Sequence, residues 1–173
     1  YGEVCVAFVV AAPGAVDLQE RAMVRCRADL AKFKVPREVR LIAELPPHLA
    51  LMARFTLETG LRRHNVTHLR WSHIDLARQL LWIPADCMKG GKPLVSPLSG
   101  MAMQILRQQI GAHPEWVFVY QGRPVYQTST RAFKEAAKRA GLPGLRWHDL
   151  RHVWASWLAQ DGTPLLALQE LGG

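Results

Sequence analysis

The sequence predicts an α+β fold, a mainly helical core with a small antiparallel β-hairpin, preceded by a short β-α-β segment. Three observations predict it. From residue 48 onward, apolar residues recur at helical spacing in successive stretches separated by Gly and Pro. Two β-like runs, LLWIP and PLVSPL, flank a Lys89-Gly90-Gly91-Lys92 turn, the pattern of a hairpin. Composition also changes abruptly near Leu45-Pro46-Pro47. Residues 1–45 hold seven Lys/Arg against six Asp/Glu, residues 46–173 hold fifteen against eight, and all seven His and all six Trp lie in the second part. Two segments are therefore expected, 1–45 and 46–173. With 49% hydrophobic residues in 173, the chain can build a core.

In the first segment, GEVCVAFVVAAPG reads as a buried strand ending in a turn. LQERAMVRCRADLAKF reads as an amphipathic helix, and VPREVRLIAELPP as a Pro break, a short strand VRLIA and a second Pro stop. In the second, HLALMARFTLETG reads as a helix with Leu49, Met52, Phe55 and Leu57 on its apolar side and Gly60 as its C-terminal cap. Arg62 and Arg63 follow at once, beside a shorter helix anchored by Leu61, Val66 and Leu69. The hairpin comes next, with a lysine on each side of its tip. SGMAMQILRQQIGAH is then a helix with Met101, Met103 and Ile105 inward, and EWVFVYQGRPV a strand and a turn at Gly122-Arg123-Pro124. Thr128, Ser129 or Thr130 can cap TRAFKEAAKRAGL, which stops at Gly141 and carries Arg131, Lys134, Lys138 and Arg139 against Glu135 alone.

LRWHDLRHVWASW, residues 145–157, crowds two His, two Arg and three Trp into thirteen positions. For a helix starting near Trp147, one face is apolar, with Leu150, Val153, Trp154, Trp157 and Leu158. Another carries His148, Arg151 and His152, three and four residues apart, so they converge on one ligand. Two His four apart suit zinc, but a third ligand is missing and the intervening arginine repels a cation, so an anion fits better. After Gly162, Thr163-Pro164 starts a last helix, PLLALQEL.

The net charge of +8 and pI near 9.9 point to a polyanionic partner, nucleic acid or an anionic surface. No stretch approaches the ~18 to 20 unbroken apolar residues of a membrane span, and no signal-peptide pattern opens the chain, so a cytoplasmic protein is expected. Cys5, Cys26 and Cys87 are far apart, without a Cys-x-x-Cys pair, and are expected to be buried free thiols.

Taken in order, TGLRRHNVTHLRW, MKGGKPLVSPL, LRWHDLRHVWASWLAQDG and LQELGG resemble the catalytic domain of the tyrosine recombinase or phage integrase family over residues 46–173. The resemblance implies double-stranded DNA as partner and phosphoryl transfer without metal, ATP or other cofactor. A tyrosine attacks the scissile phosphate, leaving a 3′-phosphotyrosyl link and a free 5′-hydroxyl. It matches Arg62 and Arg151 to the phosphate-binding arginines, Lys89 to the hairpin lysine that protonates the leaving oxygen, and His148 to a general base or proton shuttle. Arg63, Lys92, Arg131 and Lys138 are expected to contact DNA. The intact protein is expected to act as a tetramer on DNA, at the bacterial nucleoid, and the 173-residue chain to be monomeric. Where the family often carries an acid three residues after the first arginine stands Asn65, expected to orient Arg62 by a neutral hydrogen bond. Tyr1, Tyr120 and Tyr126 all precede the nucleophile's position, so the chain as given is expected to bind DNA without cleaving it. A non-catalytic DNA-binding module is the alternative.

Residues 1–45 resemble the C-terminal subdomain of AMP-forming acyl-CoA synthetases, in GEVCVAFVV through RADLAKFKVPREVRLIAELP. In that family a Gly-Lys pair soon follows, and its lysine assists adenylation. PPHLALMARF follows here, so a truncated remnant or fusion scar is expected.

Overall fold

The computed structural model describes residues 6–9, 38–41 and 44–172, which form two compact units. Unit one holds residues 1–46 and 131–145, and unit two holds 47–130 and 146–173. The helix expected between the first two strands, with Cys5 and Cys26, lies outside the described residues.

In unit one, β1 (Val6–Val9) pairs in parallel with β2 (Glu38–Leu41), Val6 opposite Glu38 and Val9 opposite Leu41. The helix of Arg131–Arg139 in this unit ends where Gly141 adopts φ +72. The Leu142 amide donates to the Ala137 carbonyl (2.8 Å) and the Gly141 amide to Lys138 (3.0 Å), so the turn satisfies carbonyls the helix leaves open. Arg139 pairs there with Glu44, its Nη2 donating to the Glu44 carbonyl at 2.9 Å.

Unit two is built around α1 (Pro47–Thr59), whose Leu49, Met52, Ala53 and Phe55 are almost wholly buried. Phe55 meets Phe118 edge to face, ring centroids 5.3 Å apart. After α2 (Arg63–Thr67) and a 3-10 turn at Trp71–His73 comes a three-stranded antiparallel sheet, β3 (Ile74–Asp75), β4 (Leu80–Ile83) and β5 (Leu94–Pro97). The hairpin thus exists, with Leu80 opposite Pro97 and Ile83 opposite Leu94, but its connection is longer than a tight turn and includes a 3-10 turn at Ala85–Cys87. Cys87, expected to be buried, is a half-buried free thiol there. Alternation fixes its faces: Leu81, Ile83, Leu94 and Ser96 point inward, while Trp82 and Val95, paired across the strands, are exposed. β3 was not expected, since two residues carry no periodic signal.

Helix α3 (Gly100–Gln109) starts at Ser99, whose Oγ accepts from the Ala102 amide (3.1 Å) and donates to Glu58 (2.6 Å). Met103 and Ile105 are buried as expected, and Met101 only in part. β6 (Val119–Tyr120) and β7 (Arg123–Pro124) form a tight hairpin. Its turn is Gln121-Gly122, with φ +50 and +71, so Arg123-Pro124 belongs to a strand and not to the turn expected there. Two positive φ values suit a two-residue hairpin because they match the strand twist. The unit 1 helix of Arg131–Arg139, now α4, is followed in unit two by α5 (Trp147–Gln160), which packs on α1, and α6 (Leu165–Gly172), which packs on α5 and β5. Trp147, Leu150 and Trp154 are buried, but Val153, Trp157 and Leu158, expected in the core, are half-buried. Among the described residues, no helix is long and apolar enough to cross a membrane.

Candidate functional site

The site is set by the bend between α1 and α2. Gly60 has φ +64, a conformation that L side chains resist, and a Cβ there would lie 2.2 Å from Trp154 Cδ2. Glycine is therefore required twice, for the backbone and for the indole that covers it. Leu61, 2% exposed, anchors the chain beyond, and Arg62 occupies the N-cap of α2 in an extended conformation. An arginine cannot cap a helix as Ser or Asp does, and its side chain makes no cap bond. The Arg62 Nη1 atom is buried and has no hydrogen-bond partner among the described residues. A buried donor without an acceptor costs about 1–3 kcal/mol, so an arrangement that keeps one is suited to an incoming acceptor.

Arg151 approaches from α5. Its Nη1 donates to the Gly60 carbonyl at 2.6 Å, and its guanidinium lies 6.0 Å from the centroid of the Trp154 ring. Burial pushes the Arg151 pKa down, and the Arg62 charge adds to the effect. Two guanidiniums thus lie close enough to repel each other, and neither forms a salt bridge among the described residues. Uncompensated like charges at close range favour an anion between or beside them.

His148 stands on the first turn of α5, exposed, three residues before Arg151. Its pKa is lowered, first by partial burial and then by His152 and Arg151, against a smaller opposing effect of Asp149. The His152 ring meets it edge-on at 4.7 Å. The start of α5 is held by Asp149, whose carboxylate reaches back to Arg146. The Arg146 amide donates to Asp149 Oδ2 (2.8 Å) and its Nη2 to Oδ1 (2.9 Å).

Arg62 caps α2 just after Gly60, and Arg151 and His148 both stand on α5, Arg151 bonded to the Gly60 carbonyl. Lys89 and Lys92 are exposed in the β4–β5 connection. Arg63 is exposed, with a long 3.5 Å hydrogen bond from Nη1 to Ser129 Oγ. Arg131 and Lys138 are exposed on α4, in the other unit. Asn65 does not orient Arg62 as expected: its Nδ2 donates instead to Met88 Sδ at 2.9 Å. Sequence reasoning also missed the Gly60 carbonyl as the partner of Arg151. The Gly just before Leu61-Arg62 was the available signal, since a close backbone approach is one reason for a glycine.

An α+β unit with two guanidiniums free of carboxylates among the described residues, and an imidazole of lowered pKa on the same helix as one of them, is suited to an oxyanion. Its relatives make the class specific. The family model for "Phage integrase family" matches residues 32–173, and that for "AMP-binding enzyme C-terminal domain" matches residues 1–48. The integrase of Salmonella phage P22 is 40% identical over 147 residues, covering 78% of this chain and 38% of the phage protein. Tyrosine recombinase XerC of Xanthomonas campestris pv. campestris is 32% identical over 166 residues, covering 85% of this chain and 50% of XerC. Among solved structures, the lambda integrase catalytic core aligns with a TM-score of 0.60 at 24% identity, over 73% of this chain and 80% of the core. The Tn1549 transposon integrase, in complex with circular intermediate DNA, aligns with a TM-score of 0.59 at 19% identity, over 95% of this chain and 57% of that one. The chain belongs to the phage integrase family. It spans half or less of the length of these curated relatives.

Proposed function

We propose that residues 46–173 are the catalytic domain of a site-specific tyrosine recombinase that binds double-stranded DNA and activates the scissile phosphate with Arg62 and Arg151. The buried Nη1 of Arg62, without a partner among the described residues, beside the Arg151 guanidinium, which bonds the Gly60 carbonyl but no carboxylate there, carries the proposal. In the whole protein, DNA is cut and rejoined through a 3′-phosphotyrosyl intermediate, on a tetramer, in a bacterial host. Negative charge builds on the nonbridging oxygens as the phosphate is attacked, and two guanidiniums in a site poor in water stabilise it. Lys89 donates a proton to the departing 5′-oxygen, and His148, held neutral by its surroundings, accepts one from the attacking tyrosine. No tyrosine described here is assigned that role, since Tyr120 stacks on His48 and Tyr126 packs against His68 and Trp116. Arg63, Lys92, Arg131 and Lys138 bind the DNA around the site. Residues 1–45 are assigned no part in the chemistry.

The rejoining half of the reaction tests the clamp without a tyrosine nucleophile. A duplex selected from a randomised pool for retention by the chain is given a nick, with a 3′-p-nitrophenyl phosphate on one side and a 5′-hydroxyl on the other. The 5′-oxygen bonds to phosphorus, the bond from phosphorus to the aryl oxygen breaks, p-nitrophenolate leaves, and the hydroxyl proton passes to Lys89. The chain is expected to accelerate release, and Arg62→Ala or Arg151→Ala to lose roughly 100-fold or more of it. Duplex binding without accelerated release, unchanged by either substitution, would make this a non-catalytic DNA-binding module.

A further inference from the structure

Asn65 and Met88 form a contact that the phosphate clamp does not use. Asn65 is 6% exposed and Met88 7% exposed, and the amide nitrogen of one donates to the sulfur of the other at 2.9 Å. A thioether is a weak acceptor, so the bond is a poor way to satisfy a buried amide for its own sake. Its position gives it another use. Asn65 lies three residues after Arg62, on the helix that Arg62 caps, whereas Met88 immediately precedes Lys89.

Met88 is also the last fixed point before the lysine. Its amide donates to the Ala85 carbonyl (3.1 Å), its carbonyl accepts from the Gly91 amide (3.0 Å), and its backbone is extended, at φ −106 and ψ 132. In an extended chain successive side chains point to opposite sides, so a Met88 held inward turns Lys89 outward. From Lys89 to Pro93 every residue is exposed, and a Cβ added to Gly90 or Gly91 would meet nothing within 4 Å. The loop tip therefore has no packing of its own to aim Lys89. Its aim depends on Met88, and the side chain of Met88 is tied to α2.

We infer that Asn65 is a positioning residue that, through Met88, fixes the Lys89 loop to the helix carrying Arg62, so that the proton donor and the clamp share one reference. The proposal rests on Lys89 having the role given above. It predicts a loss confined to the Lys89-dependent part of the reaction.

The nicked p-nitrophenyl duplex reads this out under single turnover. Asn65→Leu removes the donor at similar volume, and Met88→Leu removes the acceptor while conserving volume, which keeps a second route open if the first variant folds poorly. Each is expected to slow release about 10-fold at saturating DNA with unchanged DNA affinity, since a displaced group acts on the rate and not on binding. In a Lys89→Ala background, Asn65→Leu is expected to cost nothing further, whereas in an Arg151→Lys background it keeps its full effect. If Asn65→Leu slows Lys89→Ala as much as the parent, or if both leucine variants release at the parent rate, the inference fails. If Lys89→Ala itself releases at the parent rate, the role assigned to Lys89 fails first, and the two failures are distinct.

Discussion

Gly60 concentrates most of what the site requires. Its positive φ lets the chain turn from α1 toward Arg62, its missing side chain admits the Trp154 ring, and its carbonyl holds Arg151. Gly60→Ala is expected to destabilise the protein by roughly 2–4 kcal/mol, from left-handed backbone strain and an overpacked indole together, measured by denaturant unfolding. His148 provides a second check at this scale. Its folded pKa lies below the ordinary imidazole value of 6.5, with burial the largest cause and His152 the next. Replacing His152 with Gln removes a neighbouring positive charge, so the His148 titration, followed by NMR, is expected to move upward. As a proton carrier for the aryl oxygen, His148 matters only where the leaving group needs a proton. His148→Ala should therefore slow release of phenol much more than release of p-nitrophenol, and equal slowing would assign it a purely electrostatic role.

Among the elements, α5 shows how a helix start can serve a site. One position after His148, Asp149 accepts from both the Arg146 amide and the Arg146 guanidinium, and the guanidinium hydrogen bond, more than any other cause, holds its carboxyl below the ordinary 3.8. A depressed carboxylate pKa contributes stability that is present above the ordinary value and lost as pH falls through the folded one. Asp149→Ala is expected to lower the unfolding free energy by about 1 kcal/mol near neutral pH and to have no effect in strong acid, as read by thermal unfolding. The apolar positions of α1, the inward pair Met103 and Ile105, and the two faces of α5 were legible because helical periodicity repeats over several turns. β3 was not legible, and neither was the Gln121-Gly122 turn, because each is two residues long and its geometry is decided by the partner strand. Trp157 misled for a related reason: periodicity names a face, but only tertiary contacts decide how far along the helix that face is covered. Arg62, Arg151 and His148 could be nominated by residue type and order. The Asn65–Met88 contact spans 23 positions and joins two unremarkable residue types, so no local pattern announces it.

For the whole molecule, the charge balance and the histidines set behaviour that no single contact explains. With fifteen Lys/Arg against eight Asp/Glu in residues 46–173, DNA affinity is expected to fall steeply with salt. Arg63→Ala, Lys92→Ala, Arg131→Ala and Lys138→Ala should each reduce the slope of log affinity against log salt by about one, where the side chain meets a phosphate. An unchanged slope removes that residue from the DNA surface. Burial also lowers the pKa of His48, His64, His73 and His148 in the fold. The unfolded chain then binds more protons than the folded one, so thermal stability is expected to decline as pH drops below about 6.5, the unperturbed imidazole value. The central claim is that Arg62 and Arg151 act as one clamp on one phosphate, and a double-mutant cycle on p-nitrophenolate release tests it most directly. Groups that act as a unit lose nearly everything with the first deletion. The double variant Arg62→Ala/Arg151→Ala is thus expected to be little slower than either single variant, whereas losses that multiply in full would place the two arginines on separate tasks.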